Sequence, residues 1–230
     1  MRQVRTPFFI VNPKNFLRGQ ELVDLAKKAD LLSRKYGIDV FFTAPPTELK
    51  GIVDVCSNLI VTSQHMDYEG TGNSMGKIIA EDLHAIGVQA VVLNHAESQL
   101  TISHLLKSID KAKEEDLLTI VCGNSIKETE LIAMATPDIV LAEPTELIGK
   151  NKKSNKEYVQ LSVNAVKSIN PNILVEQGAG IRSAQDVFEL LEFGADGIGV
   201  TSGIVKSENP EKSMEKMIET TYKFKEGKLE

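Results

Sequence analysis

Three places in the sequence set chemically versatile side chains directly after an apolar run. "FFIVN" leads into Pro13 and Lys14, "QAVVL" into "NHAES" (94–98), and "DIVLA" into Glu143. A turn from strand to helix asks only for Gly, Asn or Ser, so a histidine with a carboxylate two residues on needs a reason of its own. Each residue also has an ordinary reading. A lone histidine after a strand is commonly a satisfied loop residue, and a carboxylate there can cap a helix or pair with a lysine. Taken together, Lys14, His95 and Glu143 set a cation, an imidazole and a carboxylate at three strand ends.

For these residues to meet, the elements that carry them must end at one place. Short apolar runs rich in β-branched residues occur at 8–12, 38–43, 58–63, 89–94, 117–122, 138–143, 172–177 and 196–201. The segments between them, such as "GQELVDLAKKADLLSRKYG", "SIKETELIAMA", "SAQDVFELLEFG" and "NPEKSMEKMIETTYKF", repeat apolar residues three or four apart and read as helices; the one after the second strand, "PPTELKGIVDVC", is short. Eight strand-helix units share 230 residues, a beat of roughly 29. Near-continuous apolar strands alternating with helices predict a parallel sheet covered on both faces, and eight units predict closure into a (β/α)8 barrel. One barrel domain over residues 1–230 is expected, with 220–230 as a solvated tail.

A barrel of this kind carries its chemistry at the C-terminal ends of the strands. That rim then holds Asn12 and Lys14, Gln64 and His65, Asn94, His95 and Glu97, and Glu143. The last two strands end in "QGAG" (177–180) and "TSG" (201–203), small loops before helices whose backbone N–H groups suit a phosphate.

Composition narrows the partner. A formal net charge of −6 with 25% charged residues argues against a nucleic-acid or anionic-membrane footprint, leaving a small molecule or a protein. Cys56 and Cys122 have no metal-ligand spacing and build no disulfide framework, which fits a reducing cytoplasm. No segment approaches membrane-span length, and the start has too short an apolar run for a signal peptide. "GTGNSMGK" (70–77) resembles a nucleotide loop superficially, but Ile78 replaces the Ser or Thr and the glycine spacing is wrong. His65, His84 and His104 read as structural, Cys122 as a buried thiol, and the lysines of 149–156 as a solvated loop.

The motifs in order, "NPK", "NHAE", "EPTELIG" (143–149), "GAGI" (178–181) and "TSGI" (201–204), resemble those of the triosephosphate isomerase family, in particular its short archaeal-type members. The resemblance implies Glu143 as base, His95 as electrophile, Lys14 and Asn12 as substrate-binding partners of the reaction, and Glu97 as a supporting residue. It implies phosphate contacts from Ile148, Gly149, Gly178, Gly180, Thr201 and Ser202, with no metal and no cofactor. In this reading the positive end of the following helix keeps His95 neutral, and residues 70–77 reach into a neighbouring subunit of a homodimer or homotetramer. The expected activity is interconversion of dihydroxyacetone phosphate and glyceraldehyde 3-phosphate, in glycolysis and gluconeogenesis. Alternatives are the same chemistry on another short ketose phosphate, such as a tetrulose phosphate, and a non-catalytic phosphate-ligand barrel. Several positions depart from the family pattern: Lys150 and Asn151 in the lid, Ala96 for a serine, Met75 for a threonine, and Pro13 for a bulkier residue.

Overall fold

A computed structural model of the chain describes residues 3–144 and 154–228. Eight strands, β1 (Phe8–Val11), β2 (Val40–Ala44), β3 (Ile60–Ser63), β4 (Ala90–Leu93), β5 (Leu118–Gly123), β6 (Ile139–Ala142), β7 (Leu174–Gln177) and β8 (Gly197–Val200), pair in parallel in sequence order. β1 pairs with both β2 and β8, so the sheet closes on itself and leaves no edge. Between the strands run α1 (Gly19–Tyr36), α2 (Leu49–Val53), α3 (Ala80–Ala85), α4 (Ile102–Glu114), α5 (Ile126–Met134), α6 (Lys156–Ile169) and α7 (Ala184–Glu192). After β8 come a single turn, α8 (Ser202–Val205), and the long α9 (Pro210–Lys225). All eight expected strands are present, shifted by a residue or two at their ends.

The helix starts follow from the sequence. Thr101, Ser125, Asn155, Ser183 and Asn209 each accept a hydrogen bond from the backbone N–H three residues on, and Ser183 with Asp186 completes a capping box. The segment from 220 onward departs from the expected tail. α9 continues to Lys225, Thr221 is fully buried, and Tyr222 packs on Tyr36 of α1, because the 3.6-residue apolar period of Met214, Met217, Ile218 and Thr221 carries the helix past that point.

Strand residues divide by alternation. Phe9, Val11, Val40, Phe42, Val91 and Leu93 face the helices in one apolar layer. Phe8, Ile10, Phe41, Ile60, Val92, Ile120, Cys122, Ile139 and Leu141 fill the barrel interior in another. β8 contributes no side chain inward, since Ile198 and Val200 face the helices and Gly197 and Gly199 face the interior. Its neighbours occupy that space. A Cβ on Gly197 would stand 2.2 Å from Cε2 of Phe8, and one on Gly199 would stand 2.0 Å from a carboxyl oxygen of Glu176. Phe8 is further held edge-on against Phe41, ring centroids 5.5 Å apart.

This packing makes Gly197 a test of the interior. Gly197→Ala forces a methyl group into the fully buried Phe8 ring, and overpacking of this kind costs about 1–3 kcal/mol. Thermal or denaturant unfolding should show a clear loss of stability, and an unchanged Tm would mean that the Phe8 ring has a second place to go.

Candidate active site

Two residues hold the backbone in the left-handed region at the rim, and both lead into the functional side chains: Lys14 at φ 47° and Asn94 at φ 59°. Conformations of this type cost about 1–3 kcal/mol in a residue with a Cβ and persist where surroundings over-determine them. Here they do. The Asn12 side-chain oxygen accepts from the Lys14 N–H at 3.0 Å and from Thr43 Oγ1 at 2.7 Å, while Gln64 Nε2 donates to the Lys14 carbonyl at 3.1 Å. Asn94 Nδ2 donates to the Cys122 carbonyl at 2.9 Å, and its oxygen accepts from the Leu100 N–H at 3.0 Å, which pins both ends of the loop that carries His95. Because both donors to Asn12 require an oxygen, its Nδ2 is the group left to face a ligand.

The protonation of His95 follows from one bond. The backbone N–H of Glu97 donates to Nδ1 at 3.1 Å, so Nδ1 is an acceptor and the proton of the neutral ring sits on Nε2. The same residue is held below the ordinary imidazole pKa, first by burial and then by the nearby Lys14 charge, with Glu97 opposing. The helix expected to do this is too far along the chain. α4 begins at Ile102, capped by Thr101, and a tight turn from His95 to Ser98 intervenes, with the Ser98 N–H on the His95 carbonyl at 2.8 Å. Burial, the lysine and a single turn N–H replace the helix dipole as the cause.

Lys14 Nζ lies 2.7 Å from Glu97 Oε1. That contact holds the Glu97 carboxyl below its usual range, chiefly through the hydrogen bond from Lys14. Across the rim, Glu143 follows β6, its N–H on the Gly123 carbonyl at 3.0 Å. Burial pushes its carboxyl up to about 7, against the pull of Lys14 and with a smaller push from Glu97. The missing side chain of Gly178 leaves room for it. A Cβ there would be 3.1 Å from Leu141 Cδ1 and 3.6 Å from Glu143 Oε1.

A cavity of about 160 Å³ joins these groups, lined by Asn12, Lys14, His95 and Glu143 together with Gly178, Gly180, Thr201 and Ser202. The last four lie where two loops approach closely. A Cβ on Gly203 would meet the Ile181 carbonyl at 2.4 Å, so the turn after β8 sits directly on the loop after β7. Ile148 and Gly149, with Lys150 and Asn151, lie outside the described residues. Beyond Lys14 and His95 a wider recess of about 480 Å³ opens, bounded by Pro45, Gln64, His65 and Ile78.

Among the cavity residues that sequence reading missed are Phe16, Glu176, Gly199 and Lys206. Lys206 Nζ stands 4.9 Å from the Phe16 ring centroid, four residues past Ser202, and brings a cation to the glycine-rich side. The alternation "LVEQ" did carry a signal for Glu176, since Leu174 and Glu176 share a face, and that face is the barrel interior. Cys122 is buried with its thiol pushed well up, the inert reading expected for it.

A closed parallel barrel with a buried carboxyl, a neutral imidazole and a lysine on its C-terminal rim is the fold and site of a (β/α)8-barrel isomerase in its general class. The family model described as triosephosphate isomerase matches residues 7–221. Among curated proteins, the chain is 36% identical over 220 residues to the triosephosphate isomerase of Methanosarcina mazei, covering 93% of this chain and 98% of that one. It is 34% identical over 214 residues to that of Methanocaldococcus jannaschii, with 91% and 97% covered, and 31% identical over 217 residues to that of Methanothermus fervidus, with 92% and 97% covered. The chain belongs to the triosephosphate isomerase family.

The account of His95 is open to direct measurement. Lys14→Met removes the cation that opposes protonation, so the His95 titration followed by 15N NMR should move to higher pH than in the parent. In the parent, Nδ1 should report as the unprotonated nitrogen of a neutral ring. An unmoved titration would leave burial as the sole cause.

Proposed function

We propose that this chain interconverts dihydroxyacetone phosphate and glyceraldehyde 3-phosphate, with Glu143 as the base that moves the proton between C1 and C2. The observation that carries the reading is a carboxyl with a pKa of about 7 lining one cavity with an imidazole whose only ring proton is on Nε2. A base poised near the working pH is the most effective one for taking a weakly acidic proton from carbon. As Glu143 takes that proton, negative charge grows on the substrate oxygens. Nε2 of His95 and Nδ2 of Asn12 are the donors available to it, and the Lys14 ammonium offsets it. Return of the proton to the neighbouring carbon, with a hydroxyl hydrogen exchanged between the two oxygens, completes the isomerisation. No redox partner or metal is needed for that balance.

The phosphate belongs at the Gly178–Gly180 loop and the Thr201–Ser202 turn, with Lys206 nearby. Glu97 keeps Lys14 in place and leaves the turn N–H on His95. The substrate is a small phosphorylated sugar, and the reaction is cytoplasmic; among the described residues, no helix is long and apolar enough to cross a membrane.

Self-association is part of the same reading. Met75 stands fully exposed at the tip of residues 70–77, and the wide recess beside Lys14 and His95 is of a size to receive such a tip from a second copy. A separate apolar groove between α4 and α5, with Ile102, Leu106, Leu131 and Met134 exposed, supplies a second contact and hence a homotetramer built from dimers.

Glu143→Asp withdraws the carboxylate by one methylene. It should lower kcat by about a hundredfold or more while leaving KM within a few-fold. In the parent, kcat/KM should fall as pH drops through about 7, because the base is then protonated. A panel of three- to five-carbon ketose phosphates settles chain length, and a parent that turns over none of them defeats the reading. Light scattering should give four copies, and Leu131→Lys with Met134→Lys should give two. A monomeric parent at micromolar concentration would remove the interface claim.

A further inference from the structure

Glu176 has no role in the reaction as described, yet it occupies the cavity floor. Its side chain is 3% exposed, Oε2 has no hydrogen-bond partner among the described residues, and the carboxyl fills the notch left by Gly199. It lines the same cavity as Glu143 and His95. Buried polar groups in folded proteins are almost always satisfied, so an unpartnered carboxyl oxygen at the bottom of a ligand cavity marks a missing partner. Its surroundings supply none. Inward from β1 to β4 and from β8 come Ile10, Thr43, Thr62, Val92 and Gly199, all uncharged. Of these, Thr62 Oγ1 donates to the Ile60 carbonyl and Thr43 Oγ1 to Asn12. The titratable neighbours are Cys122 from β5 and Glu143 from β6, with Lys14, His95 and Glu97 on the rim above.

We propose that Glu176 is a specificity-determining residue of this site: a neutral carboxylic acid on the cavity floor whose O–H donates to an oxygen of the bound sugar phosphate. The inference rests on the isomerase reading for the identity of the ligand. The chemistry of the floor supports it independently. Burial, with an added push from the Glu143 charge, holds the Glu176 carboxyl up at about 8, above Glu143 itself. Glu176 therefore holds its proton more tightly than Glu143, and two adjacent carboxyls serve different roles through their surroundings. Ionising Glu176 turns its donor into a second buried anion beneath an anionic substrate. The consequence is a narrow pH window. Activity rises through about 7 as Glu143 loses its proton and falls through about 8 as Glu176 loses its own.

The test compares two neutral replacements by kcat/KM as a function of pH. Glu176→Gln keeps the shape and a donor, and should retain kcat/KM at pH 7 within about threefold while losing the alkaline limb near 8. Glu176→Leu keeps the volume but no donor. It should lower kcat/KM at pH 7 by about 10- to 100-fold, the effect of one lost hydrogen bond to a substrate in a closed site. Circular dichroism confirms that both fold. An alkaline limb that survives in both variants, or a leucine variant as active as the parent, would overturn the proposal and leave Glu176 as a filler of the Gly199 notch.

A second measurement needs no turnover. With 13C-labelled glutamate carboxyls, the Glu176 resonance should titrate near 8 and shift on addition of glycerol 3-phosphate, an unreactive phosphorylated polyol. A resonance indifferent to that ligand overturns the contact. A shifted resonance in a parent without isomerase activity would fail the functional reading while sustaining this one.

Discussion

Removing a carboxyl group from water among apolar neighbours is among the most expensive arrangements a chain can adopt, and the rest of this site is built around doing so. Glu143 is half-buried beside Leu141, and its pKa of about 7 is the energetic signature of that placement. Some of its neighbours moderate the cost. Lys14 pulls the carboxyl back down, Gly178 makes room for it, and Glu97 holds Lys14 at the distance where the pull is felt. Were Lys14 closer to Glu143 than to Glu97, the carboxylate would be stabilised into a weak base. Were Lys14 absent, the group would stay protonated at neutral pH.

The same arrangement explains why strain is tolerated at two strand ends. A lysine and an asparagine in the left-handed region disfavour the fold locally, yet each turns the chain sharply enough to aim the next functional group across the barrel mouth. The bonds that hold them come from other strands: Thr43 from β2 and Gln64 beyond β3 for the first, the Cys122 carbonyl of β5 for the second. Rim geometry is thus transmitted around the sheet. A change in any of these three strands reaches the rim groups through a hydrogen bond of about 3 Å.

Much of this was legible in the amino-acid sequence, for a physical reason. Strands buried on both faces must be apolar throughout, so eight β-branched runs announce eight strands, and Ser, Thr or Asn three residues before a helical N–H announces where a helix starts. Asn12, Lys14, His95 and Glu143 could be singled out as candidates because their types are out of place at strand ends, and the four line one cavity. What escaped was information that exists only between strands. Neither the glycine at 197 nor the one at 199 says which neighbour fills its notch; register alone decides that Phe8 takes the first and Glu176 the second. The cause of His95 neutrality escaped too, because a helix a few residues downstream looks adjacent in sequence while a turn separates it in space.

β8 shows how far such coupling extends. In most barrels each strand fills its own share of the interior, and a mutation there is felt locally. Here the inward face of β8 is empty by construction, so its space is packed by an aromatic ring from β1 at one level and a carboxyl from β7 at the next. The lower notch serves stability, since Phe8 and Phe41 close the base of the core around it. The upper notch serves chemistry, since it seats a polar group where an apolar side chain from β8 would otherwise exclude one. A side chain at 199 would displace the carboxyl at 176, with 2.0 Å between a Cβ and the carboxyl oxygen. The coupling runs one way: glycine at 199 leaves 176 free to vary, whereas any larger residue at 199 takes the place where the acidic floor now sits.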